Sequence, residues 1–162
     1  MSRSILALDL ATHAGWCWGV PGTTPRIGAV DLAPGEMAAA RYCALVDWLE
    51  DHVAVFQPDL IAYEAPIPRG THSGLQAGRI LLGLAAAVEM FAYRAAITCR
   101  EGNVNEARKA VLGKGNASKD ECEIACRNAG LNPPSQDASD AWVLWRYAVL
   151  TRGRIDAASQ RA

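Results

Sequence analysis

Apolar residues change their period repeatedly along this chain, and each change marks an element. Residues 4–10, SILALDL, form a β-rich run that carries Asp9 near its end. ATHAG (11–15) reads as a turn, WCWGV (16–20) as a second strand and RIGAVDL (26–32) as a third. Three short strands with tight connections predict an antiparallel meander. From Gly35 the period lengthens. Leu45, Trp48, Leu49, His52 and Phe56 recur at three- and four-residue spacing, which predicts a helix over 36–56 that Pro58 ends. DLIAYEA (59–65) is a short buried strand with Glu64 at its far end.

The second half is mostly helical. After the loop PIPRGTHSG comes a long apolar helix over 75–94, then a fifth strand over 95–100, AAITCR. NVNEARKAVLG (103–113) predicts a short helix and GKGN a turn. SKDECEIACRNAG (118–130) predicts a second short helix, with Ser118 as N-cap, Glu121 in the capping-box position and Gly130 as the stop. The last helix spans 137–150, and the chain beyond Arg152 frays. The order βββαβαβααα predicts one α/β domain over 1–152, with a flexible tail over 153–162. Its sheet is mixed, because a meander is antiparallel whereas strands joined by helix crossovers run parallel.

Composition changes this picture little. The 162 residues suit one domain with a full core, and 51% apolar with 20% charged is ordinary for a globular chain. The net charge of −1 hides an asymmetry: residues 1–64 carry three basic and eight acidic side chains, whereas residues 65–162 carry thirteen and nine. A basic face in the second half is the expectation. The five Cys show no CxxC and no Cys/His cluster, which argues against zinc and for a reducing cytoplasm. No signal or transit peptide fits before the first strand. The apolar region 80–92 is shorter than a membrane span and is broken by Gly83 and Glu89.

The acids are placed more informatively. In QDASDAWVLW (136–145), Asp137 and Asp140 lie three residues apart and so share a helix face. One explanation is structural: first-turn acids face unsatisfied N–H groups and the positive end of the helix dipole. The other is a divalent metal. Asp9 and Glu64 each follow an apolar run and end a strand, and each also has the ordinary explanation of a solvated loop edge. In a mixed sheet the ends of strands one and four can lie together, with the first turn of a packed helix over them. Four converging carboxylates raise one another's pKa, and Mg²⁺, a hard ion that takes carboxylate oxygens, relieves this. Two such ions can clamp an in-line phosphoryl displacement.

GKGNASK adds positive charge. Gly113 and Gly115 permit a tight turn and close backbone approach to a phosphate, and Lys114 and Lys119 project from it. The spacing is not that of a Walker A loop. A solvated helix connection is the plain alternative. Beside the acids, both lysines become candidate contacts to the scissile or neighbouring phosphates, with Arg108 and Lys109 as more distant backbone contacts. His52 reads as core edge, His13 as a neighbour of the site, and Trp142 and Trp145 as core.

These residues carry a resemblance that spans nearly the whole chain. ILALDLATHAGW, LIAYEAP, SGLQAGRILLGLAAAVE, NEARKAVLGKGNASKDE and DASDAWVLW resemble, in order, the motifs of the RuvC family of Holliday-junction resolvases. The resemblance implies an RNase H-like fold: a five-stranded sheet, part antiparallel meander and part parallel, flanked by helices. It implies that Asp9, Glu64, Asp137 and Asp140 are metal-binding catalytic acids, with Lys119 assisting catalysis. Two Mg²⁺ ions, replaceable by Mn²⁺, are implied per site, and the cuts leave 5′-phosphate and 3′-hydroxyl ends. The implied partner is four-way DNA, met by a homodimer whose candidate face is the helix over 75–94, unless that helix is wholly core. No membrane is involved, and the implied setting is a bacterial or phage-infected cytoplasm. The candidate DNA contacts are Lys114, Lys119, Arg108, Lys109, Arg69, Arg79 and Ile67. Ile67 stands between two prolines in EAPIPRG, where the family has an apolar-aromatic pair, so it would act as an apolar wedge. The alternatives are another branched DNA or an RNA–DNA hybrid as substrate, an actin-like ATP-binding protein, or a non-catalytic DNA-binding relative.

Overall fold

The computed structural model describes residues 4–33, 35–66 and 72–159, with the backbone alone described at 72, 73 and 152–159. Five strands form one sheet in the order β3-β2-β1-β4-β5. They are β1 (Ile5–Asp9), β2 (His13–Gly19), β3 (Arg26–Asp31), β4 (Leu60–Glu64) and β5 (Thr98–Gly102). β1, β2 and β3 pair antiparallel, whereas β1–β4 and β4–β5 pair parallel. The predicted meander and crossovers are both present, and the fold is the α/β architecture expected.

The strands β1 and β4 are buried along almost their whole length because both faces of the sheet are covered. Side chains alternate across a strand. Leu6, Leu8, Ile61 and Tyr63 enter one core layer, with Leu45 and Leu49 of α1 (Ala38–Phe56) and Leu84 and Val88 of α2 (His72–Arg94). Ile5, Ala7, Leu60 and Ala62 enter the other, with Cys122 and Cys126 of α4 (Lys119–Asn128) and Trp142 and Trp145 of α5 (Gln136–Ser159). The short α3 (Val104–Leu112) joins this second layer through Ala107. The same parity puts Asp9 and Glu64, at the ends of β1 and β4, on the α5 side.

Helix ends follow the sequence closely where a polar cap is present. Asn103 Oδ1 accepts from Asn105 N and Glu106 N at 2.9 and 3.2 Å and starts α3. Ser118 and Glu121 complete the reciprocal capping box of α4. Other boundaries differ from the pattern. β2 starts at His13, so the ATHAG turn is shorter than read. β5 starts at Thr98, not residue 95, because α2 ends at Arg94 and the chain turns after it through Ala96 in a left-handed conformation (φ 55°), with Ile97 N–H bonded to Ala92 O at 2.9 Å. α5 stays helical to Ser159, past the predicted end at Leu150.

α2 also corrects the reading of its hydropathy. Over Gly74–Arg94 it is long and apolar enough, by length and composition, to cross a bilayer. Its apolarity has two destinations here. Leu84, Val88 and Ala92 are buried against the sheet, and Gly83 admits Tyr42 of α1. Leu75, Leu82, Met90 and Tyr93 form an exposed stripe on the outer face, so the helix is not wholly core.

Candidate metal centre and nucleic-acid cleft

The four predicted acids meet at one end of the sheet. The parallel register places Leu8 beside Tyr63, which brings Asp9 and Glu64 together at the strand ends. α5 crosses those ends and presents Asp137 and Asp140 from its first turn; Ser135 Oγ accepts from Ala138 N at 3.1 Å and caps that turn. Carboxylate oxygens of Asp9, Asp137 and Asp140 lie within 4.8 Å of one another. Asp9 and Asp140 are buried, whereas Glu64 and Asp137 are half-buried.

The electrostatics are those of crowded acids. Burial, then the charges of Glu64, Asp140 and Asp137, push the Asp9 carboxyl well above its ordinary value. Burial also raises Glu64, although a hydrogen bond with Asp9 and the nearby Arg108 and Lys119 work the other way. Hard oxygen donors this close together, carrying more negative charge than their basic neighbours cancel, fit a divalent cation such as Mg²⁺.

Two cations sit among the acids. Lys119, the first residue of α4, places Nζ 2.6 Å from Asp137 Oδ1 and 3.6 Å from Asp140 Oδ2. Burial works against its charge, but the Asp137 hydrogen bond and surrounding carboxylates keep the ammonium above its ordinary value. Arg108 corrects the expectation of a distant backbone contact. Its Nη2 donates to Asp140 Oδ1 at 3.0 Å and its Nη1 to Ala117 O at 2.9 Å, so it lies inside the site. Behind them Cys122 is fully buried, its thiol pushed up to about 12 by burial and the Asp140 charge.

The other candidates lie elsewhere. Lys114 bonds Glu121 Oε1 at 2.8 Å and braces the α4 cap, away from the acids. Lys109 and Arg79 are exposed. Ile67 and Arg69 fall outside the described residues. His13 is exposed and bonds Asp31 across the β2–β3 pair, so it does not join the cluster. His52 stacks on Trp48 at 4.1 Å, at the edge of the core as expected.

A cleft of about 620 Å³ opens over the acids. Its polar lining is Asp9, Glu64, Asp140, Lys119, Arg108 and Asn105, and its apolar lining includes Leu10, Pro66, Ala77, Leu81 and Val104. Asn105 was not anticipated. Its one-turn spacing from Arg108 is the signal that would have placed both on the same face of α3. The cleft thus combines acids able to hold a metal with positive charge and apolar groups, a combination suited to a phosphodiester and its attached sugar or base.

Comparison with solved structures agrees on the fold. The chain superimposes on RuvC of Thermus thermophilus with a TM-score of 0.67 at 20% identity, covering 87% of this chain and 90% of that one. T. thermophilus RuvC in complex with a Holliday junction substrate gives 0.73 at 21% identity, with 88% and 90% covered. The yeast mitochondrial Holliday junction resolvase Ydc2 gives 0.64 at 11% identity, with 88% and 75% covered. No family model and no curated protein sequence matches. The chain thus shares the fold of RuvC, a five-stranded mixed sheet flanked by helices.

Proposed function

We propose that this protein is a metal-dependent endonuclease that resolves four-way DNA junctions by paired hydrolytic nicks, leaving 5′-phosphate and 3′-hydroxyl ends. The observation that carries the reading is that Asp9, Glu64, Asp140 and Lys119 line one cleft, with an Asp137 carboxylate oxygen within 4.8 Å of those of Asp9 and Asp140. Paired Mg²⁺ ions, or Mn²⁺ in their place, would supply activation of water and stabilisation of the leaving oxygen. The four acids would hold them. Lys119 and Arg108, now paired with Asp137 and Asp140, are the cations nearest the acids and would turn to phosphate oxygens when substrate enters. The apolar lining at Leu10, Ala77 and Leu81 would keep bulk water from the reacting strand.

A four-way junction has two-fold symmetry, and a two-fold dimer supplies two matching sites. The exposed stripe on α2, with Tyr93 87% exposed, supports that helix as the face between copies. Lys109, Lys114 and Arg79 are exposed and would meet more distant phosphates; Arg69 and Ile67, outside the described residues, remain DNA contacts by the sequence reading alone. Free cysteines fit a reducing cytoplasm. The test is incubation of purified protein and Mg²⁺ with labelled four-way junction, fork, duplex and RNA–DNA hybrid. Paired nicks in the junction alone are expected. Cleavage of the hybrid in preference to the junction would replace the junction reading, and no cleavage of any substrate would replace the nuclease reading.

A further inference from the structure

Where the acids from the sheet meet those from α5, the helix backbone comes into close contact with the sheet. Gly15 of β2 is the cross-strand partner of Asp9, so the two share a face, and that face is the one α5 covers. A Cβ at position 15 would stand 2.0 Å from the carbonyl oxygen of Asp137, 2.1 Å from its carbonyl carbon and 2.5 Å from Ala138 N. On the far side, Gly102 is the partner of Glu64, and a Cβ there would stand 2.6 Å from Leu144 Cδ1. The helix is therefore seated across two glycines, each beside one of the sheet acids. The two contacts differ in kind. Leu144 can swing its side-chain end aside, but at Gly15 the obstacle is backbone in the first turn, between the residues that present Asp137 and Asp140.

We infer that Gly15 is a positioning residue for the metal centre: its missing side chain sets the height of the first turn of α5 above Asp9, and thereby which ion the acids can hold. The inference rests on the metal-centre reading above. A methyl group at 15 must lift that turn by about 1 Å or more to restore ordinary contact distance, whereas metal–ligand distances tolerate only about 0.2 Å. Mg²⁺ demands near-ideal octahedral geometry at short distance, while Ca²⁺ accepts longer and less regular coordination. Lifting the turn should therefore cost Mg²⁺ more than Ca²⁺. A residue that served only the fold would not separate the two ions.

The test is calorimetric titration of Mg²⁺ and of Ca²⁺ into wild type, Gly15→Ala and Gly28→Ala. Gly28 is the control: a Cβ there meets the Trp16 ring at 2.4 Å, on the opposite side of the sheet from α5. Gly15→Ala is expected to lose about tenfold or more in Mg²⁺ affinity, in line with residues that orient metal ligands, and much less in Ca²⁺ affinity. Gly28→Ala should melt earlier with both affinities unchanged. Ser135→Ala removes the hydroxyl that caps the same turn and adds no bulk. It should shift Mg²⁺ affinity in the same direction by a smaller factor, and it carries the test if Gly15→Ala does not fold. Mg²⁺ affinity like that of wild type in folded Gly15→Ala, or in Ser135→Ala where the first does not fold, would overturn the inference alone. An equal loss for both ions in Gly15→Ala would do the same. A wild-type protein that binds neither ion would overturn the metal-centre reading and this inference with it.

Discussion

At the scale of single residues, charge and geometry make separate demands on the same side chains. Asp140 is 6% exposed and is held by Arg108 on one oxygen, with Lys119 near the other. Asp140→Asn keeps shape but removes a charge on which the proposed metal centre depends. We expect it to bind a junction as wild type does and to lose about 3 kcal/mol of transition-state stabilisation, a rate loss of about a hundredfold or more. Single-turnover cleavage beside a gel-shift titration checks both halves. Lys119→Ala should slow cutting more than it weakens binding, because its place is between the acids rather than along a DNA track. An unchanged single-turnover rate would return Lys119 to a surface role. The four acids were legible in the sequence because each ends a strand or opens a helix, where periodicity fixes its direction. Arg108 was legible only as a more distant phosphate contact, because its contacts to Asp140 and Ala117 depend on how three helices pack.

Among the elements, α4 shows how a local signal reaches the site. Ser118 caps the helix whose first residue is Lys119. Ser118→Ala should destabilise the protein by about 1 kcal/mol in denaturant melts and should lower the cleavage rate as well, because the cap fixes where Lys119 begins. α2 makes a different prediction. Leu82→Glu places a charge in the middle of its exposed stripe. The free wild-type protein should be a dimer by light scattering and the variant a monomer with nearly the same melting temperature, since Leu82 is outside the core. A wild-type monomer at micromolar concentration would remove this role from α2. The elements were legible to the extent that their ends were polar. Caps at Ser118 and stops at Gly113 or Gly130 announce themselves. Ala96 takes a left-handed conformation without the glycine that usually marks it, so β5 was placed too early. The long apolar run of α2 has one origin in sequence and two in space, a core face and an exposed face, which composition alone does not separate.

For the whole molecule, the acid cluster links pH, metal and stability. Folding raises the carboxyl of Asp9 above its ordinary value of 3.8, and raises Glu64 as well. The folded state therefore binds these protons more tightly than the unfolded chain, so their contribution to stability falls as pH rises through the raised values. Melts in chelator should show a lower melting temperature at neutral than at mildly acidic pH, and Mg²⁺ should flatten that trend. A chelated protein with no such slope would mean that the acids stand farther apart. Junction binding should weaken steeply as salt rises, because basic side chains displace counterions from phosphates, and should favour junction over duplex at every salt. Titrating both DNAs at two salt concentrations checks this. The pairing of Lys119 with Asp137 and of Arg108 with Asp140 offsets part of the acids' charge from within the protein. On the proposed reading, the protein should therefore be storable and should load onto DNA in chelator without cutting it. Adding Mg²⁺ would then start every bound molecule from one common zero time, without a refolding lag.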